Sequence, residues 1–159
     1  MSKLSVLLGV VALSIVGLQA SAAPAALDPS GLVLTPKADI KWSGQPGGVR
    51  TAVLYGDPTK EGLYVQLIQW PATANSRPHS HPHDRTITVL EGTWWVGTGA
   101  KYSPDTMTPV HVGDTVRHPA GGIHYDGTKG EPALIEVVGM GPGTLIPRED
   151  PPQPPRPAG

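Results

Sequence analysis

Cysteine is absent from the chain. Its absence rules out disulfides, a thiolate nucleophile, a Cys-based zinc site and lipoprotein acylation. Any metal must therefore use histidine, carboxylate, amide or water, and stability must come from packing. An excess of positive charge is missing too. Lys3 is the only charged residue before Ala23, which leaves eleven basic and thirteen acidic side chains in the rest of the chain. Phosphate-backbone binding needs a basic surplus, so nucleic acid is not an expected partner. The sequence has no Gly-rich phosphate loop, no Gly-x-Ser-x-Gly elbow and no His-Glu-x-x-His pair, which argues against nucleotide enzymes, serine hydrolases and zincins.

A long apolar run occurs once, as "LSVLLGVVALSIVGL" directly after Lys3. It is shorter than the ~20 apolar residues of a spanning helix and runs into Ala20-x-Ala22, the pattern of a cleaved secretory signal. We expect residues 1–22 to be a signal peptide, with the mature protein starting at Ala23 in the periplasm or medium and keeping no stable membrane span. An uncleaved anchor is the alternative. The ~137 residues that remain suffice for one domain with one core.

Glycine (20) and proline (19) make up about a quarter of the 159 residues, too many for long helices. Short runs rich in Val, Ile, Thr, Tyr and Trp recur between turn signals, at 49–55, 62–70, 85–92, 93–99, 115–121 and 133–139. This rhythm predicts an all-β fold, a small antiparallel barrel or sandwich. The breaks "GDPTKEG" (56–62) and "GTKGEP" (127–132) read as hairpin connections. The expected organisation after the signal is an N-terminal arm over 23–46, the barrel over 47–142 and a Pro-rich tail over 143–159.

Three of the six histidines crowd into "RPHSHPHDRTITVLEG" (77–92). Residues two apart on a strand share a face, so His79 and His81 project together, and the same parity carries Arg85, Ile87 and Val89 to that side. Two such imidazoles can share a cation, but an exposed His-rich loop has the same spelling. A second segment, "GDTVRHPAGGIHYDG" (113–127), places Gly113, Pro119, Gly121 and His124 in order. Together the segments resemble the two motifs of the cupin family. His79 and His81 match its paired histidines, Gly92 its closing glycine, and Gly113, Pro119, Gly121 and His124 its second motif. The resemblance spans roughly residues 47–142. It implies a small barrel with one divalent metal at its mouth, held by His79, His81 and His124, with Fe(II) first and Zn(II), Mn(II) or Ni(II) as alternatives.

Arg85 stands where the family usually has a glutamate ligand, Thr73 replaces the leading glycine, and Thr128 replaces a terminal asparagine. Three neutral imidazoles leave the ion its full charge, and an arginine on the same face adds to it, so the pocket should attract an anion. Arg85 would hold a substrate carboxylate or enolate in a bidentate fork, or else swing outward to Asp84, Asp126 or Glu136. His83, Asp84, Gln69 or water could supply the missing ligand. Of Trp94 and Trp95, one should face inward and the other the surface or a homodimer contact. His111 and His118 read as ordinary polar strand residues, Tyr125 as a neighbour of the site, and Asp126 as a turn former. The resemblance implies a small-molecule substrate, with three readings: a dioxygenase-like metalloenzyme, a non-oxidative isomerase or lyase, or a periplasmic metal- or ligand-binding protein.

Overall fold

The computed structural model describes residues 26–150. The signal peptide expected over 1–22 and the tail end at 151–159 lie outside the described residues. Residues 26–34 belong to a unit of their own, in which the amides of Gly31 and Leu32 both donate to the Asp28 carbonyl at 3.0 Å.

From Thr35 onward the chain forms ten strands: β1 (Arg50–Tyr55), β2 (Gly62–Trp70), β3 (His79–Ser80), β4 (Arg85–Glu91), β5 (Trp94–Thr98), β6 (Thr108–Val110), β7 (Thr115–His118), β8 (His124–Gly127), β9 (Ala133–Gly141) and β10 (Ile146–Pro147). They make two five-stranded sheets, ordered β1-β2-β9-β4-β7 and β10-β3-β8-β5-β6, with every pairing antiparallel. The only helical turns among the described residues are 3-10 turns at Lys37–Asp39 and Pro104–Thr106. The all-β expectation therefore holds, and all six expected strand segments are strands. No helix among the described residues is long and apolar enough to cross a membrane.

Alternation builds the core. Along β9, Ala133, Ile135 and Val137 are buried while Leu134, Glu136 and Val138 face away. Ile135 lies opposite Ile68 and Val89, and Val137 opposite Ile87, so each row adds aliphatic contact across three strands. Burying each such side chain contributes ~1.5–3 kcal/mol. Trp94, fully buried, closes the core from the second sheet, whereas Trp95 is partly exposed under Lys129, as parity required.

One of the two expected hairpins differs. The 56–62 break is the β1–β2 hairpin, but 127–132 carries the chain from β8 in one sheet to β9 in the other. Gly92 sits at a second corner of this kind, between β4 and β5. Its φ is +72° and a Cβ there would collide with the Pro132 carbonyl, so both backbone and space require glycine. The start of the segment read as a tail is also ordered. Ile146 and Pro147 pair with Ser80 and His79, and the Arg148 amide donates to the Pro78 carbonyl at 2.8 Å.

Candidate metal centre

The second sheet brings the histidines together. Pairing of β3 with β8 sets His79 directly against His124, and His81 follows one residue beyond β3. All three are buried, and their candidate ligand atoms lie within 4.8 Å of one another. Each ring is fixed from behind by a backbone carbonyl that accepts from its Nδ1–H: Arg77 for His79 at 2.8 Å, Thr144 for His81 at 2.9 Å and Gly122 for His124 at 3.0 Å. With Nδ1 protonated, Nε2 is left as a lone pair, the arrangement that orients metal-binding imidazoles. The Nε2 atoms of His81 and His124 are buried with no partner. Buried acceptors left unpaired are costly, and a cation shared by the three lone pairs would satisfy them. The residues present thus fit a metal ion.

Burial, followed by the Arg85 charge and the neighbouring imidazoles, pushes His81 down to about 3. Burial and His79 also lower His124. Both rings are neutral near pH 7, the form in which imidazole binds metal.

The sequence reading of His118 as an ordinary polar residue is corrected. His118 shares the inward parity of Val116 on β7 and is buried, with its ring centroid 3.8 Å from that of His124. Its Nδ1 accepts from Arg85 Nε and Nη2, each at 3.4 Å, and burial, then His124 and Arg85, push it down to about 2. His111, read as a polar strand residue, is polar and exposed but lies just past the end of β6 rather than in a strand.

Arg85 faces inward, lining a cavity of about 200 Å³ together with His79, His81 and Asp126. Register explains its setting. Tyr64, Gly139, Arg85 and His118 form one row across β2, β9, β4 and β7. A Cβ on Gly139 would lie 2.9 Å from the Tyr64 hydroxyl and 3.0 Å from Arg85 Cβ, so the missing side chain leaves room for that hydroxyl beside Arg85. Tyr64 and Gly139 carried no sequence signal for the site. Two of the three partners weighed for Arg85 are excluded, since Asp84 bonds Arg117 and the Ala120 amide and Glu136 lies on the opposite face of β9, while Asp126 acts on Arg85 from within the same cavity.

Asp126 is no turn former. It is a buried residue of β8 whose carboxylate accepts from Ser76 Oγ at 2.5 Å and whose charge acts on Arg85. Tyr125 points to the other face, where its hydroxyl donates to the Ser103 carbonyl at 3.3 Å and its ring meets Tyr102. His83, Asp84 and Gln69, weighed as replacement ligands, are all exposed and stand outside the histidine group.

Two expected results follow from this geometry. Ending the chain at Gly143 removes the Thr144 carbonyl behind His81 and the β10 strand beside His79, so metal affinity should fall roughly 10–100-fold, as measured by competition with a chelator. The second concerns acid. Folded His81, His118 and His124 titrate below the ordinary imidazole value of 6.5, so from that pH downward the unfolded chain binds more protons than the folded one. Urea titrations of metal-free protein should show stability falling as pH drops from about 6.5 toward about 3, by up to ~1.4 kcal/mol per pH unit for each ring.

The comparisons agree with this architecture. The fold resembles the polyketide cyclase RemF from Streptomyces resistomycificus, with a TM-score of 0.59, 20% identity, and coverage of 73% of this chain and 84% of that one. It also resembles an RmlC-like cupin from Shewanella frigidimarina NCIMB 400, with a TM-score of 0.52, 18% identity, and coverage of 68% and 90%. A third similar structure is the DMSP lyase DddQ from Ruegeria pomeroyi DSS-3, with a TM-score of 0.54, 19% identity, and coverage of 69% of this chain but only 61% of that one. No curated protein sequence matches. The sequence profile of the ChrR Cupin-like domain matches residues 30–142, which include the whole histidine group, and the chain belongs to that cupin-like family.

Proposed function

We propose that the protein is an exported metalloenzyme acting on a small oxygenated anion. The observation that carries this reading is the inward-facing guanidinium of Arg85 beside three convergent imidazoles, at the position where a cupin glutamate would stand. His79, His81 and His124 would hold a divalent ion, Fe(II) in the first reading and Zn(II), Mn(II) or Ni(II) otherwise. Such an ion supplies open coordination positions and Lewis-acid polarisation of an oxygen ligand. The chain's own groups do the rest. Arg85 offers a planar fork to an oxyanion and is held by His118 Nδ1 with Tyr64 alongside in the same row, so little side-chain freedom is lost when the ligand arrives. Asp126, anchored by Ser76, offsets part of the positive charge, and Ile87, Ile135 and Val137 give the cavity an aliphatic wall.

The dioxygenase-like reading requires a redox-active metal and oxygen uptake. A non-oxidative reading draws support from the similar structures, which include a cyclase and a lyase. Elemental analysis of protein purified without air, followed by an oxygen electrode and product analysis over a panel of hydroxy- and keto-acids, separates them. Substrate loss with equimolar oxygen uptake supports the first reading, and loss without uptake the second. Tight retention without turnover would sink both and leave the binding-protein reading. Export is tested separately: protein recovered from the periplasm or medium should begin at Ala23 by mass spectrometry, and recovery of full-length chain from the cytosol alone would refute it.

A further inference from the structure

The cavity beside Arg85 is charged at one end only. His79, His81, Arg85 and Asp126 line that end, and no other charged residue lines the cavity. Register orders the remaining wall. Arg85 lies opposite Gly139, Ile87 opposite Val137, and Ile135 opposite Ile68, which in turn pairs with Thr51 on β1. Burial changes along this path. Ile87, Ile135 and Val137 are buried, whereas Val49 and Leu145, which line the same cavity, are 38% and 54% exposed. Val49 stands one residue before β1 and Leu145 one residue before β10, and these two strands end their sheets without pairing with each other. Apart from one bridge, Ser43 to Thr51, nothing among the described residues pairs with the free side of β1. The cavity therefore reaches the surface between β1 and β10, past two aliphatic side chains. Single exposed aliphatic residues are ordinary on a protein surface. These two continue a buried apolar wall that leads to a guanidinium and three imidazoles.

We infer that the ligand is an amphipathic anion whose oxyanion enters first and whose apolar body leaves between β1 and β10, against Val49 and Leu145. Charge decides which end goes in. The inner end offers the Arg85 fork beside the imidazole group, and its one carboxylate, Asp126, is already engaged by Ser76. From Ile87 outward the row residues are aliphatic except for Thr51, so an ion with no apolar body would leave that wall and Leu145 uncovered. Leu145 also follows Thr144, whose carbonyl fixes the His81 ring, so the body of the ligand rests on the segment that orients a metal candidate. The open rim sets no limit on the length of the body. Gains from a longer chain end where it clears Val49 and Leu145. This ligand class rests on the anion-binding reading of Arg85 and adds to it the body of the ligand and its path to the surface.

The test measures binding, so it does not depend on activity. Butyrate, hexanoate and octanoate are titrated by calorimetry into the protein with its metal, and 1-hexanol serves as the uncharged control. In the parent, each methylene that the wall covers should tighten binding about fourfold, and hexanoate should bind at least about tenfold tighter than 1-hexanol. Val49→Ser and Leu145→Ser, both at exposed positions, should each reduce the gain per methylene for the longer probes. The gain per methylene is compared rather than the affinity itself, so a general loss of binding cannot imitate the effect. Because the parent series needs no variant, misfolding of either one cannot shield the inference. Equal affinity across the carboxylates in the parent overturns the inference and leaves the Arg85 reading intact, and so does a gain that both serine variants preserve. If no carboxylate binds the parent, or if Arg85→Ala binds hexanoate as the parent does, the anion-binding reading falls and the inference falls with it.

Discussion

A His79→Ala, His124→Ala variant is expected to retain no metal after dialysis, whereas the parent holds about one ion per chain by elemental analysis. The two rings face each other across the β3–β8 pair, with centroids 4.3 Å apart, and provide two of the three lone pairs aimed at one point. With both gone, His81 is a single buried imidazole and cannot hold a divalent ion against water. Removing a group that merely orients a ligand already costs about 10–100-fold in affinity, so removing two ligands should cost far more. Stability supplies a second readout. Metal at a hundred times its dissociation constant stabilises the folded state by ~2.7 kcal/mol, so a chelator should lower the parent's melting temperature and leave the variant's unchanged. A variant that keeps a full equivalent of metal, or a parent that never binds any, would remove the basis of the proposed function.

The sequence made the β-architecture legible wherever a strand was long enough to show periodicity. The run 62–70 coincides with β2 because nine residues alternate between clear turn signals. The strands β3, β6, β8 and β10, at two to four residues each, are too short for a period to register, yet β3 and β8 carry the metal candidates. Those candidates were found through motif spacing, which needs no strand assignment. His118 was legible in principle, since it shares its parity with Val116, but it lies outside the motif positions and so reads as an ordinary polar strand residue. Tyr64, Gly139 and Thr144 were not legible. Each reaches the site through pairing between distant segments, in the row across β2, β9, β4 and β7 or by the return of β10 to β3, and local sequence does not encode such register. The corner at 127–132 was missed for the same reason, because turn residues announce a reversal but not which sheet the chain enters next.

Replacing Arg85 should change metal and anion binding in opposite directions. Its guanidinium lines the cavity and stays positively charged although burial lowers its pKa, so it repels a cation at the histidine group while attracting an oxyanion beside it. Arg85→Glu reverses both terms and places a carboxylate where the family usually has its fourth ligand. Metal affinity should rise, and affinity for a benzoate probe should fall about 10–100-fold, the equivalent of the ~1.5–3 kcal/mol typical of a charge-assisted bond. Arg85→Ala removes the repulsion without adding a ligand, so it should match the loss of anion affinity but gain less for metal. Arg85→Lys keeps the charge and loses the planar fork, and should fall between parent and alanine for the anion while leaving metal affinity near the parent's. Calorimetric titration of each protein with metal and then with anion reads all of these effects. If the glutamate and alanine variants match the parent in both affinities, the guanidinium serves only to hold Tyr64 and His118 in the row across the sheet, and the imidazoles work without it.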